Sequence, residues 1–289
     1  MSWRTVYISS QAHLSYKNNF LVIRGEDTKQ VHISEINTII IDSNTSTIST
    51  YLLNELVNNK IKVIFCDQKH NPSMEMAPYN NSFESSRIVL AQTKWSESQC
   101  DELWEEIVKH KIRYQARVVK KINVETSCKL LEYAEEVEVG DASNREGHAA
   151  KVYFNSLFGT GFARDDDSNI NSYLNYGYTI LLSIFNRLIV SHGYITQIGI
   201  HHKGPTNPFN LSCDLMEPFR PIIDNYAIDH KDKEFDIDSK KELVKIINKQ
   251  IRYMDKVYYL HNAIDMYVIN TLSFFENGKL KKEWFEYEE

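Results

Sequence analysis

Residues 68–81, QKHNPSMEMAPYNN, decide how the rest of the chain divides. Asn71-Pro72, Pro78 and Asn80-Asn81 punctuate this stretch. Proline fixes its own φ and restricts its predecessor, and asparagine side chains compete for backbone hydrogen bonds, so regular structure is disfavoured here. Upstream, Val6-Tyr7-Ile8, Phe20-Leu21-Val22-Ile23, Val31-His32-Ile33, Ile39-Ile40-Ile41 and Val63-Ile64-Phe65 are short β-branched or aromatic runs. Polar clusters such as Lys17-Asn18-Asn19 and Gly25-Glu26-Asp27 separate them, which is a strand-and-turn pattern. One helix is predicted inside it, over 49–58, where Tyr51, Leu52, Leu53, Leu56 and Val57 follow a Ser/Thr N-cap signal. Downstream of about Ser85 the period becomes helical, with helices predicted over 98–124, 143–158, 171–191, 211–225 and 240–273. The third is apolar nearly all round and belongs in a core. The charged tail, 281–289, reads as frayed. The expected fold class is α+β: an N-terminal β-sandwich domain over 1–75, a linker over 76–84, and a larger all-helical domain over 85–289.

Composition narrows the function. The 289 residues are 42% hydrophobic and 25% charged, which is the balance of a globular protein and not of a disordered one. Cys66, Cys100, Cys128 and Cys213 form no C-x-x-C pair, so neither a zinc knuckle nor a redox motif is indicated, and reduced thiols are expected. The start MSWRTVYISS lacks the basic-then-apolar pattern of a secretion signal, and no apolar run is long enough to span a bilayer. A cytoplasmic protein without a membrane partner is expected. The net charge of −6 counts mildly against nucleic acid, although a basic stripe can hide within an acidic average.

Three segments carry candidate chemistry. In Asp141-Ala142-Ser143-Asn144-Arg145-Glu146-Gly147-His148, the Ser143-x-x-Glu146 spacing taken alone reads as a capping box; the functional alternative is a carboxylate in the first turn of a buried helix that ligates a metal. In Gly199-Ile200-His201-His202-Lys203-Gly204-Pro205, two histidines sit on a glycine-bounded loop; neutral imidazole suits Mn²⁺ and other transition ions. In Asp214-Leu215-Met216-Glu217-Pro218-Phe219-Arg220, Asp214 and Glu217 share a helix face among apolar neighbours, where an acid is costly unless paired or bound to metal. A plain ion pair with Arg220 is the bland alternative. Pro218 also predicts a kink or helix end at Glu217. Together these make a Glu146/His202/Glu217 ion site with Asp214 as an auxiliary acid, suited to phosphodiester chemistry.

A fourth segment, KHKIRYQARVVKK over 109–121, has six Lys or Arg and no acid. Lys109, Arg113, Arg117 and Lys120 fall within roughly an 80° arc of a helix. That is either a solvated face or a phosphate-binding stripe, with Arg145, Arg164, Lys203 and Arg220 as further candidate DNA contacts.

EGHAAKVYF, NSYLNYGYTIL and GIHHKGPTNPFNLSCDLMEPFRPIID, in this order, resemble the CRISPR-associated integrase family, and the opening WRTVYISSQAHLSYKNNFLVIR resembles its type II-A branch. The resemblance covers nearly the whole chain. It implies an N-terminal β-sandwich, a helical catalytic domain and a homodimer. It implies that Glu146, His202 (which closes G-x-x-H) and Glu217 bind Mn²⁺ or Mg²⁺; some relatives have Asp at the Glu217 position. Its reaction would be 3′-hydroxyl transesterification that inserts double-stranded spacer DNA at a CRISPR repeat, with His202 either ligating metal or donating a proton. The implied partners are a small ferredoxin-like second CRISPR-associated protein and, in type II-A, a ring-shaped DNA-end-binding adaptation protein and the RNA-guided effector nuclease. The rival readings are a plain metal-dependent nuclease and a catalytically inactive DNA-binding scaffold subunit.

Overall fold

The computed structural model describes residues 4–68, 70–76 and 84–288. The expected linker over 76–84, with Pro78 and Asn80-Asn81, lies almost wholly outside them. The chain forms two compact units, Met1–Asn80 with Ile237–Lys249, and Asn81–Asp236 with Gln250–Glu289.

The first unit is built from strands β1 (Arg4–Ile8), β2 (His13–Lys17), β3 (Phe20–Arg24), β4 (Thr28–His32), β5 (Ile36–Ile41) and β6 (Thr47–Ile48), helix α1 (Thr50–Asn58), and strands β7 (Lys62–Cys66) and β8 (Pro72–Glu75). They make two four-stranded sheets, ordered β1-β5-β7-β8 and β4-β3-β2-β6. β5 runs parallel to both β1 and β7, and all six of its residues are buried, as a near-continuous apolar run at the centre of a sheet requires. The β2–β3 hairpin turns at Asn18-Asn19, both with positive φ, which asparagine tolerates and the two-residue hairpin demands. Val6, Ile8, Ile39, Ile41 and Val63 from one sheet share a core with Leu14 and Leu21 from the other and with Leu52 and Leu56 of α1. Part of the stretch read as a loop is the edge strand β8, which begins on Pro72, where no ladder donor is needed.

The second unit contains α2 (Ser85–Gln92), α3 (Glu97–Val119), α4 (Val124–Glu135), α5 (Arg145–Phe158), α6 (Asn169–Ser191), α7 (Asn210–Met216) and α8 (Arg220–Asp229). The helix predicted over 98–124 is α3, which stops at Val119, a few residues short of the expected end. Asn123 caps α4 by accepting from the Thr126 amide at 2.9 Å. After α8, α9 (Ile237–Lys245) belongs to the first unit, where Lys240 donates to the His70 carbonyl at 3.0 Å and Leu243 and Val244 are buried. The expectation that 85–289 forms one domain is corrected accordingly.

Strands β9 (Gln250–Tyr253) and β10 (Lys256–Tyr259), helix α10 (Leu260–Asn277) and strand β11 (Tyr287–Glu288) complete the chain, with sheet order β10-β9-β11. The second unit is therefore helical with a small sheet, and the single helix predicted over 240–273 is a helix, a hairpin and a second helix. Nor is the tail frayed. Trp284, Phe285 and Tyr287 are buried, and Tyr287 stacks on Phe219 at 5.0 Å and on Tyr114 at 4.0 Å. No helix among the described residues is long and apolar enough to cross a membrane.

Candidate active site

The site is organised along α3. Trp104, Val108 and Lys111 recur at helical spacing, and all three are buried. Trp104 stacks on the His201 ring at 4.3 Å and meets the His202 ring edge-on at 5.8 Å. Two turns further on, the Lys111 ammonium lies 2.5 Å from Glu146 Oε1 and 2.5 Å from Glu217 Oε2.

Glu146 comes from the first turn of α5, and it does not form the predicted capping box. Asn144, in the left-handed region at φ 52°, is the N-cap and accepts from the Gly147 amide at 3.3 Å. The Asp141 carboxylate accepts from the amides of Arg145 and Glu146 at 2.7 and 3.1 Å. With the orphan amides of the helix start served by these neighbours, the Glu146 side chain is free to face the site.

His202 lies on the loop between α6 and α7, and that loop is wrapped around one carboxylate. Buried Asp214 accepts from the amides of Ile200, His201 and His202 at 2.6, 3.0 and 3.1 Å, and its Oδ1 lies 2.5 Å from His202 Nδ1. Gly199 is required here: a Cβ would stand 2.5 Å from the His202 carbonyl oxygen and 2.7 Å from Asp214 Oδ2. Nδ1 is thereby committed, which leaves Nε2 as the ring nitrogen able to serve as a ligand. His201 has a different role, holding Trp104 with its ring and Asp214 with its amide.

Glu217 opens a 3-10 turn, Glu217–Phe219, that joins α7 to α8. Its own backbone is α-helical (φ −52°, ψ −46°), so tertiary packing overrides the preference that Pro218 imposes, while the helix end appears as predicted. Arg220 Nε holds Glu217 Oε1 at 2.9 Å, and its guanidinium lies 4.7 Å from the centre of the Tyr178 ring. The ion pair foreseen as the bland alternative thus exists, and it occupies one oxygen while the other faces Lys111.

Glu146, Glu217 and Asp214 are therefore three carboxylates served by two full cations and one histidine. Burial pushes the Glu146 carboxyl up, but the Lys111 ammonium outweighs this and holds it below the usual carboxylate range. Burial pulls the Lys111 ammonium down, and Glu217 and Glu146 more than restore it. The hydrogen bond to Asp214 holds the His202 imidazole above an ordinary histidine, against the effect of burial. Two carboxylates and an imidazole are a donor set for Mn²⁺ or Mg²⁺. Among the described residues, no three His, Cys, Asp or Glu side chains stand ready around one ion; the point between Glu146 and Glu217 is filled by Lys111.

An open hollow of about 510 Å³, lined in part by Gly199, His202, Lys203, Asn207 and Asn210, adjoins the histidine. Lys203 is exposed beside it. The remaining candidate DNA contacts are distributed unevenly. Lys109 pairs with Glu105 and with Glu106, Arg113 with Glu135 at 2.8 Å, and Arg145 with Glu136 at 3.0 Å. Arg117 donates to the Tyr287 carbonyl at 2.9 Å, Arg164 to Asn171 and Asn175, and Lys120 is exposed. Lys111, read only as one of six cations, is the site residue that the sequence did not disclose.

The family model described as CRISPR associated protein Cas1 matches residues 6–241. A CRISPR-associated endonuclease Cas1 of Neisseria meningitidis serogroup C (strain 8013) is 32% identical over 275 residues, covering 93% of this chain and 90% of the relative. A CRISPR-associated endonuclease Cas1 of Francisella tularensis subsp. novicida (strain U112) is 25% identical over 274 residues, 86% of each chain. In fold the chain resembles a casposase bound to an integration product, with TM-score 0.78 and 18% identity over 99% of this chain and 94% of that one. It also resembles a Cas1 protein from Thermotoga maritima (TM-score 0.76, 16% identity, 95% and 97%). A chain of a Cas6-RT-Cas1–Cas2 complex matches with TM-score 0.72 and 18% identity, covering 98% of this chain and 36% of that one.

Proposed function

Because the chain belongs to the Cas1 family, we propose that it is the endonuclease and integrase that inserts new spacer DNA into a CRISPR array, using Mn²⁺ or Mg²⁺ held by Glu146, His202 and Glu217. The observation that carries this reading is the convergence of Glu146 and Glu217 on one point at the α3 spine, with the neighbouring His202 oriented by Asp214 through Nδ1. An ion bound there would orient the attacking oxygen and neutralise the phosphate. The chain's own residues do the rest. Asp214 fixes the ring so that Nε2 is the free nitrogen, and Arg220 immobilises one oxygen of Glu217 so that the other is aimed. The hollow beside His202 and Lys203 gives a DNA backbone access from the exposed side.

The reaction is transesterification: the 3′-hydroxyl of the incoming DNA attacks a phosphodiester at the repeat edge, and the departing strand leaves with its own 3′-oxygen. No covalent link to the protein is needed, and no serine or cysteine nucleophile is invoked. The complexes of similar fold, one holding an integration product and one holding Cas2, support double-stranded DNA and a Cas2 protein as partners. Homodimerisation and the type II-A setting, with its ring-shaped adaptation protein and RNA-guided effector nuclease, rest on the motifs and on the opening WRTVYISSQAHLSYKNNFLVIR.

The test is strand transfer on a branched DNA substrate with Mn²⁺ or with EDTA, for wild type and Glu146→Ala. Joining should require metal and should fall at least about 10³-fold in the variant, the scale on which a catalytic group's loss is felt. Cleavage without joining would leave a plain nuclease. Metal-independent activity that survives in Glu146→Ala would displace the site.

A further inference from the structure

Lys111 is buried to a degree that lysine reaches only when paired, and both of its partners belong to the proposed ion site. We propose that Lys111 is the resident counter-cation of Glu146 and Glu217, and that a divalent ion enters by displacing its ammonium, so that Lys111 sets the metal affinity of the site. The inference rests on the reading that this site binds a divalent ion, and it adds a residue that competes with that ion.

The geometry makes the two cations mutually exclusive. One Nζ lies 2.5 Å from an oxygen of each glutamate, so those oxygens are at most 5.0 Å apart. Two carboxylate oxygens on opposite sides of an octahedral ion stand roughly 4.2 Å apart, at metal–oxygen distances of about 2.1 Å. The carboxylates are therefore close enough to share one ion, and the ammonium stands between them. A monovalent and a divalent cation sharing the same two oxygens would repel strongly in a buried setting. Glu217 cannot simply turn to serve both, because Arg220 holds its other oxygen. Lysine suits the role: its charge is compact and its four-carbon stem is flexible, so it can withdraw where a planar guanidinium, held at two points, could not. In the metal-free protein the same ammonium keeps two carboxylates from facing each other unpaired.

A merely structural lysine and a competing one predict opposite signs for metal binding. The measurement is Mn²⁺ titration by calorimetry, with the Mn²⁺-induced rise in melting temperature, for wild type, Lys111→Met and Lys111→Arg. Lys111→Met keeps the length and removes the charge. It should melt lower without metal, bind Mn²⁺ about tenfold or more tightly, on the scale of typical couplings between linked ligands, and gain more in melting temperature from Mn²⁺ than wild type does. Lys111→Arg, which keeps the charge on a group that cannot withdraw, should bind Mn²⁺ more weakly than wild type. If Lys111→Met unfolds without metal, Mn²⁺ should restore cooperative melting; failure to restore it would overturn the proposal. Mn²⁺ binding by wild type with no tightening in Lys111→Met would remove the role of Lys111 and leave the ion site standing. Absence of Mn²⁺ binding in both proteins would sink the ion site and this inference together.

Discussion

At the scale of single residues, Asp214 is the one on which most geometry depends. It serves three backbone amides and the His202 ring. Asp214→Asn keeps an oxygen for the amides but removes the charge that orients the imidazole. NMR titration should show the His202 pKa falling from its raised position, and, if His202 ligates the proposed ion, strand transfer should drop about 10–100-fold, the usual cost of losing a carboxylate that orients a ligand histidine. An unchanged titration would mean that the loop, not the carboxylate charge, sets the histidine. The sequence singled out Glu146, His202, Asp214 and Glu217 as candidates because acids among apolar neighbours and a glycine-flanked histidine are unusual local chemistry. It could not say which residue caps α5, because Ser143-x-x-Glu146 satisfies the spacing rule while Asp141 and Asn144 satisfy it in fact. Lys111 was hidden for a different reason: its meaning lies in carboxylates far away in sequence, and among five neighbouring cations it reads as one more solvated charge.

Elements impose a second set of constraints. On α3, the cations differ in how firmly they are committed. Lys109 sits between Glu105 and Glu106, which are both largely buried, whereas Arg113 pairs with the well-exposed Glu135 and Lys120 is itself exposed. Exposed pairs are weak and exchange readily for phosphate. Plots of log DNA affinity against log salt should therefore lose about one unit of slope in Arg113→Ala and in Lys120→Ala, and keep the wild-type slope in Lys109→Ala. Equal effects at all three would show that the Glu105 and Glu106 pairings open on DNA.

Between α5, α6 and α8, buried Asp224 accepts from Tyr153 at 3.0 Å and from Tyr178. Burial pushes its carboxyl up to about 6, and the two hydroxyls only partly offset this. The folded-state pKa is thus above the ordinary 3.8, so the folded protein holds this proton more tightly than the unfolded chain does. That contribution is complete below about pH 3.8 and is lost as pH rises through about 6. Asp224→Asn cannot titrate there, so between pH 4 and pH 7 its stability relative to wild type should improve by about 2 kcal/mol in urea unfolding. Parallel profiles would show that Asp224 stays ionised throughout. The hairpin of β9 and β10 escaped the sequence for an elementary reason. Its alternation spans only four residues a side, and its turn, Met254-Asp255, takes positive φ at both positions without the Asn-Gly signature.

For the molecule as a whole, the division near the quoted 68–81 stretch was readable from a change of period, but the return of α9 to the first unit was not. A nine-residue amphipathic helix looks the same whichever core it joins. A fragment of residues 1–80 lacks the Lys240 bond to His70 and the burial of Leu243, Val244 and Ile247. A saturating amount of the peptide 237–249 should raise its melting temperature by about 4–8 °C for each kcal/mol recovered. No shift would mean that α9 contributes nothing to that unit.

The docked tail has a consequence in time. Tyr287 donates its hydroxyl to the Pro218 carbonyl at 3.1 Å and lays its ring against Phe219, so the turn that carries Glu217 is packed by a residue made 69 positions later. At roughly 5–20 residues per second, a ribosome needs about 3–14 s to cover that interval. Throughout it, the growing polypeptide has its acids and its histidine but not the floor beneath them, and a chain still being made is an unfinished blade.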